Sequence, residues 1–321
     1  MDDKRGLILK YPVNRPLHPD EIRHHLPVGQ PTRAKPWYQL SVIKFNSTYL
    51  ECIDKFFLQK GYMTGIFSIC LLIMVGILVG PIYIGISKYP YPPGELIKYL
   101  LAILFISMMS LPMIFLFGSA IKKEVFQYTH YPIRFNRKTR MVHVFRTDGT
   151  VLSKPWDDIH FAYCKLSLDT WEVRGLILNA PKNDTVLEVF PLTCHGSIRE
   201  KEDYVFSQWE FIRCYMEEPD MLQELANQID CIHNIADDIE DFTQGLLCLE
   251  APFGNLAKLI YPVIYFSAIA RAFAMEFGKI PRWPQEVEDE SQIEPDDPYI
   301  RDPDHLATEE QVQAAYKKYH G

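Results

Sequence analysis

Apolar residues are concentrated in two long unbroken blocks. From Gly61 to Ser87 the chain reads GYMTGIFSICLLIMVGILVGPIYIGIS, and from Tyr99 to Ile121 it reads YLLAILFISMMSLPMIFLFGSAI, with no charge in either. A helix needs about 20 apolar residues to cross a hydrocarbon core of about 30 Å, so each block predicts a membrane-spanning helix. The connector SKYPYPPGE is short and proline-bearing, which predicts a transmembrane helical hairpin over 61–121. Tyr83, Tyr89, Tyr91 and Tyr99 gather near its tip, as aromatic side chains do at a membrane–water interface. Gly61 with Gly65, and Gly76 with Gly80, form small-xxx-small pairs that let helices approach closely. Packing of the first span on the second is their expected use, ahead of a dimer face. The first block lies behind a long polar segment and is not a cleavable signal peptide.

Elsewhere the pattern is shorter. Residues 1–40 are rich in proline and predict an extended arm. In NSTYLECIDKFFLQK, residues 46–60, the spacing of Tyr49, Cys52 and Phe56 behind Asn46 or Ser47 predicts a helix leading into the first span. After the second span the period changes to two, with about six short strands expected, at 133–135, 141–145, 150–152, 159–166, 171–178 and 185–190. Asp148–Gly149 supplies a tight hairpin turn, and 181–184 a further turn. Val205, Trp209, Ile212 and Met216 then line one face of a helix over 202–217. Strands followed by a helix predict a small antiparallel meander or open barrel capped by that helix. Leu222, Leu225, Ile229, Ile232, Ala236 and Ile239 predict a further amphipathic helix, with the acidic residues 237–241 on its solvated flank. The uncharged run Leu259–Ala270 is too short to span and predicts a helix that starts or bends at Pro262, buried in the first instance, with an interfacial position against the membrane as the alternative. Thr308 to Gln311 forms a capping box for a short terminal helix.

The expected fold is therefore an α+β membrane protein. It comprises an N-terminal arm and helix (1–60), the hairpin (61–121), a β-rich domain (122–217), a helical region (218–280) and an acidic tail with a terminal helix (281–321).

Charge sets the expected orientation. Residues 1–60 and 122–174 hold ten Lys and Arg each, and each stretch sums to +4. The hairpin tip holds only Lys88 and Lys98, and residues 175–321 sum to −17 within a total of −8 over 321 residues. The positive-inside rule then places both termini in the cytoplasm of an inner membrane. Seven cysteines suit that reducing side. The basic residues nearest the lipid, Arg134, Arg137, Lys138 and Arg140, are the candidate contacts for a lipid headgroup or a protein partner. The net acidity argues against nucleic acid as a partner.

Catalytic chemistry has no foothold in the pattern. Phosphate-loop, serine-hydrolase, zincin and paired-cysteine motifs are all missing from the sequence. Asp157, Asp158 and His160 read as a turn-capping pair beside a surface histidine. His24–His25 lacks further ligands at metal spacing. The expectation is a non-enzymatic protein with no cofactor or metal.

The segment YPIRFNRKTRMVHVFRTDGTVLSKPWDDIHFAY resembles bacterial pleckstrin-homology-like membrane modules. Taken with NSTYLECIDKFFLQKGY, PWDDIHF and IPRWPQEVE, the whole chain resembles an uncharacterised proteobacterial family of two-span membrane proteins, a domain of unknown function encoded near type VI secretion effector genes. That resemblance implies an immunity or accessory protein that acts by binding a secreted effector or secretion component. A lipid-sensing or scaffolding module is the alternative.

Overall fold

The computed structural model describes residues 11–166, 170–179, 185–197, 202–250, 253, 256–303 and 314. The expected turn at 181–184 and the terminal helix after Thr308 lie outside these residues. The fold is α+β and divides into two compact units.

The first unit takes residues up to Leu58, then 128–247, then 279 onward. It holds two antiparallel sheets. One runs in chain order: β2 (Val42–Phe45), β3 (Tyr49–Cys52), β4 (Ile133–Asn136), β5 (Met141–Phe145) and β6 (Val151–Pro155). The other has the order β1 (Arg15–Pro16), β9 (Thr185–Ser197), β8 (Thr170–Leu178), β7 (Ile159–Lys165). Between β5 and β6 the Asp-Gly turn forms as expected, with Gly149 at φ +84°, where a Cβ would stand 2.5 Å from the Tyr128 hydroxyl. The chain passes from β6 to β7 through a single tight turn at Trp156–Asp158. Trp156 at this corner is fully buried, stacks on Trp209 of α4 (Glu202–Glu217) and packs against Phe161. The expected α4 face, Val205, Trp209, Ile212 and Met216, is buried.

Residues 46–60 differ from the helix expected of them. Tyr49–Cys52 is a strand, paired residue for residue with Asn136–Ile133, and only Phe57–Gln59 makes a helical turn. Asn46 is a cap, but of a turn: its side-chain oxygen accepts from the Thr48 and Tyr49 backbone N–H groups at 2.9 and 2.8 Å, closing the β2–β3 hairpin. Both faces of β3 are buried, so the period-two signature of a half-exposed strand is not written in its sequence.

The expected long helix after Pro219 also ends early, at α5 (Leu222–Gln228). Beyond it the chain runs extended along the outer edge of β2, where the His233 N–H donates to the Val42 carbonyl at 3.0 Å. Phe45 and Arg301 exchange two further backbone bonds on the same edge. An unpaired sheet edge needs covering, and these two segments cover it. The acidic residues 237–241 accordingly lie on a loop, with Asp237 paired to Lys44.

The second unit contains α2 (Tyr62–Ser87), α3 (Glu95–Val125) and α7 (Ala257–Glu276). All three are long and apolar enough to cross a membrane. Side-chain and ring contacts pair Thr64 with Glu124, Phe67 with Phe117 and Gly85 with Tyr99. Glu124 caps the start of α2, accepting from the backbone N–H groups of Gly61 and Thr64, both at 2.7 Å. A carboxylate suits a helix N-terminus because the exposed N–H groups carry partial positive charge. Gly76 and Gly80 do not pack α2 on α3, since a Cβ at either would meet nothing. Gly61 and Gly65 pack instead on Arg271 and Ser267 of α7.

Replacing Asn46 by Ala leaves two turn N–H groups without their acceptor and should destabilise the first unit by about 1–2 kcal/mol. Thermal unfolding of the full chain in detergent checks this, and an unchanged midpoint would contradict it.

Candidate functional site

The four basic residues singled out in sequence all sit on β4 or the turn that follows it, and three are engaged by carboxylates of the same unit. Arg134 is buried: its Nε donates to Glu51 Oε2 at 2.8 Å, its Nη2 donates to Glu288 at 3.2 Å, and the guanidinium lies over the rings of Tyr49 and Trp283. Lys138 is exposed and pairs with Glu294 at 2.5 Å. Arg140, at φ +54°, grips Asp157 through two bonds of 2.8 and 2.5 Å and reaches Glu217 at 2.8 Å. Arg137 is half-buried and makes no ion pair among the described residues; its backbone N–H donates to the Thr48 carbonyl at 2.9 Å.

A second set of charges lies deeper. Glu172 on β8 is fully buried and receives three donors. The Lys55 ammonium donates to Oε2, the Tyr11 hydroxyl to Oε1 at 3.1 Å, and Arg174 Nε to Oε1 at 2.6 Å. Arg174 also lies over the Tyr11 ring and donates to the Lys165 carbonyl at 3.1 Å. Local geometry brings these groups in. The β8–β9 register slips between Glu172 and Arg174, and such bulges re-aim side chains. Lys55 is presented by a turn in which Asp54 accepts from the Phe56 and Tyr131 N–H groups at 2.9 and 2.8 Å. Burial holds the Lys55 ammonium below its usual range, with the Glu172 charge working against that shift. Burial, reinforced by Glu172, pushes the Tyr11 phenol far up.

Tyr11 and Lys55 form one wall of a cavity of about 90 Å³ between β4–β6 and β9, with Tyr131, Phe145, Leu152 and Phe190 among its apolar lining. Arg146, paired with Glu188, is also part of the wall. Two cations around one buried carboxylate leave one positive charge uncompensated within the triad. The cavity wall itself balances Lys55 and Arg146 against Asp54 and Glu188, so its lining is mainly apolar and carries no net charge. No sequence motif marks this site, because its members come from residues 11, 55, 172 and 174. The signal available was WEVRGLIL, where a Glu and an Arg interrupt an apolar strand and therefore require partners.

The remaining candidates do not converge. Asp157 faces Arg140, whereas His160 stacks on His25 at 4.1 Å and its Nε2 lies 3.3 Å from the Glu21 carbonyl. His24 packs edge-on against Trp171. Glu210, Cys214 and Glu218 lie close enough to ligate an ion, but Arg213 donates to both carboxylates at 2.5 Å and occupies their centre.

Two expectations follow from these groups. Glu172→Gln leaves buried Lys55 and half-buried Arg174 without their carboxylate, which costs about 3–5 kcal/mol; adding Lys55→Met should recover part of the loss in a thermal melt. His143, beside buried Arg134, is pushed down to about 4 by burial and then by the arginine charge. The folded state therefore stays unprotonated where the unfolded histidine, near pH 6.5, takes up a proton. Stability should fall as pH drops from about 6.5 to about 4, and His143→Gln should flatten part of that slope in melts taken across the range.

No curated protein and no solved structure matches the chain. A family model does match, over residues 110–295, a stretch that includes β4 to β9, α4 and Arg134, Glu172 and Arg174. That stretch is more than half of the sequence, and the chain belongs to DUF6708, a family of unknown function.

Proposed function

We propose that this protein is a membrane-anchored, non-enzymatic binding module, held in a bacterial inner membrane by α2 and α3 as a two-span hairpin with both termini in the cytoplasm. The observation that carries the reading is the surface of these two helices. Their 26 and 31 residues are long enough to cross. Their exposed side chains are large and apolar along the whole length, with Met108 74% and Phe115 78% exposed. Water does not tolerate a continuous apolar surface of this extent, whereas acyl chains do.

The first unit is then the working part. Four strands, β3 to β6, are followed by three, β7 to β9, and by α4. This order supports the likeness to pleckstrin-homology-like modules, with β2 added beside β3, β1 added beside β9, and the hairpin inserted between β3 and β4. Such modules bind rather than catalyse, and a tethered module gains local concentration for its partner. The most specific form of the reading is an immunity or accessory protein of a type VI secretion effector, and it rests on the sequence resemblance. Under it, cells that carry an active co-encoded effector stop growing when this gene is deleted and recover with the full chain. Unimpaired growth of the deletion strain would overturn the immunity role.

Lipid sensing is the second reading, favoured by the same strand order. Against it, Arg134, Lys138 and Arg140 already face carboxylates, which lowers their attraction for anionic headgroups. The double substitution Arg137→Glu with Lys138→Glu, made in the full chain in vesicles, separates the two. The binding-module reading expects no change in anionic-lipid dependence, and a clear loss of it would favour lipid sensing.

A further inference from the structure

We infer that α7 does not cross the bilayer but lies in its cytoplasmic leaflet, with its exposed apolar face against lipid acyl chains near the headgroups. This rests on the two-span reading of α2 and α3 and extends it to a third helix with the length and composition of a span.

The first argument is parity. The chain on both sides of α7 is built into the same folded unit. Upstream, the His233 N–H donates to the Val42 carbonyl, and Gln244 donates to the Ile232 carbonyl at 3.2 Å. Downstream, the Lys279 carbonyl accepts from the Thr129 N–H at 2.9 Å, Trp283 Nε1 donates to Glu51 at 3.1 Å, and Asn136 donates to the Glu290 carbonyl at 2.8 Å. A folded unit stays on one side of a membrane, so residues 248–278 must cross an even number of times. Among the described residues of that stretch only α7 is long enough to cross. One crossing is odd, and the even solution is none. The same count applied to residues 59–127 permits two crossings, by α2 and α3.

The second argument is position. α7 is seated against the first turns of α2, at the end where the chain enters the membrane. A Cβ on Gly61 would stand 2.4 Å from the Arg271 Cβ, and one on Gly65 would stand 2.9 Å from the Ser267 Oγ. Buried Arg271 donates to the Lys60 carbonyl at 2.8 Å. These contacts lie at the α2 entry, which the two-span reading puts at the level of the cytoplasmic headgroups.

The third argument is what α7 leaves uncovered. Ile264, Ser267, Ala268, Arg271 and Ala274 are buried. The opposite surface exposes Leu259 (78%), Val263, Tyr265, Ile269 and Phe273. It has aromatic residues at intervals, among them Tyr261, Tyr265 and Phe273. A helix with one apolar face and tyrosines among its exposed residues suits the interface plane.

Single cysteines at Ser87, Lys258, Ile269 and Glu276 in the full chain test this. Six of the seven native cysteines are buried, and Cys70→Ala removes the seventh. An impermeant maleimide should label Ser87→Cys only from outside, and both Lys258→Cys and Glu276→Cys only from the cytoplasmic side. A bimane on Ile269→Cys should be quenched by a doxyl group placed high on the lipid chain. Labelling of Lys258→Cys and Glu276→Cys from opposite sides would make α7 a span and overturn the inference. Unquenched bimane would place protein, such as a second copy, over this face and would also overturn it. Cytoplasmic labelling of Ser87→Cys would remove the two-span reading itself, and this inference with it.

Discussion

The backbone pairing of β3 with β4 is the constraint from which the rest of the architecture follows. Tyr49 to Cys52 and Asn136 to Ile133 are neighbours in one sheet, yet residues 53–132 lie between them in the chain. A strand pair fixes its two members about 5 Å apart, so whatever is inserted between them must leave and return at nearly the same place. An even number of long apolar helices satisfies that demand, and a single one does not. The pairing also explains why Lys55, the third residue beyond β3, is held within the sheet region and reaches Glu172 rather than being drawn into the helices.

Charge in the first unit acts mainly to join segments that are distant in sequence. Glu51 on β3 accepts from Arg134 on β4 and from Trp283 in the last described stretch. Glu172 gathers Tyr11, Lys55 and Arg174. Glu217 at the end of α4 accepts from Arg140 and from Trp156 Nε1, tying the helix to the corner between the sheets. A buried ion pair is weak evidence for stability, but removing one partner is costly. The pairs Lys55–Glu172, Arg134–Glu51 and Arg140–Glu217 tie together segments that the chain order leaves far apart. They also account for basic residues that read in sequence as a free surface and in the fold are turned toward carboxylates.

The sequence was legible where a pattern admits one structural answer. Two uncharged apolar blocks became α2 and α3, and the α4 stripe became a helix with the expected bounds. The Asp148–Gly149 turn formed because its glycine accepts a positive φ. It was illegible where two answers share one pattern. Tyr49, Cys52 and Phe56 fit a helix as well as a strand buried on both faces, and the deciding partner, Ile133–Asn136, is far away in the chain. Ile229, Ile232 and Ala236 fit a helical stripe, but β-branched residues interspersed with Asn and Asp settle readily into the extended path along β2. α7 outruns the uncharged block because Arg271 is satisfied inside the helical unit by the Lys60 carbonyl, so its charge does not end the helix. The Lys55–Glu172–Arg174 site had no local signature at all, since long-range pairing alone creates it.

Hydrogen exchange on the full chain in lipid nanodiscs tests the central claim most directly. If β3 and β4 clamp the two ends of the helical insertion, peptides covering Tyr49–Cys52 and Ile133–Asn136 should be protected to the same degree and open together as denaturant is raised. Rapid exchange of 49–52 beside a protected 133–136, as a peripheral helix before the first span would give, would contradict it.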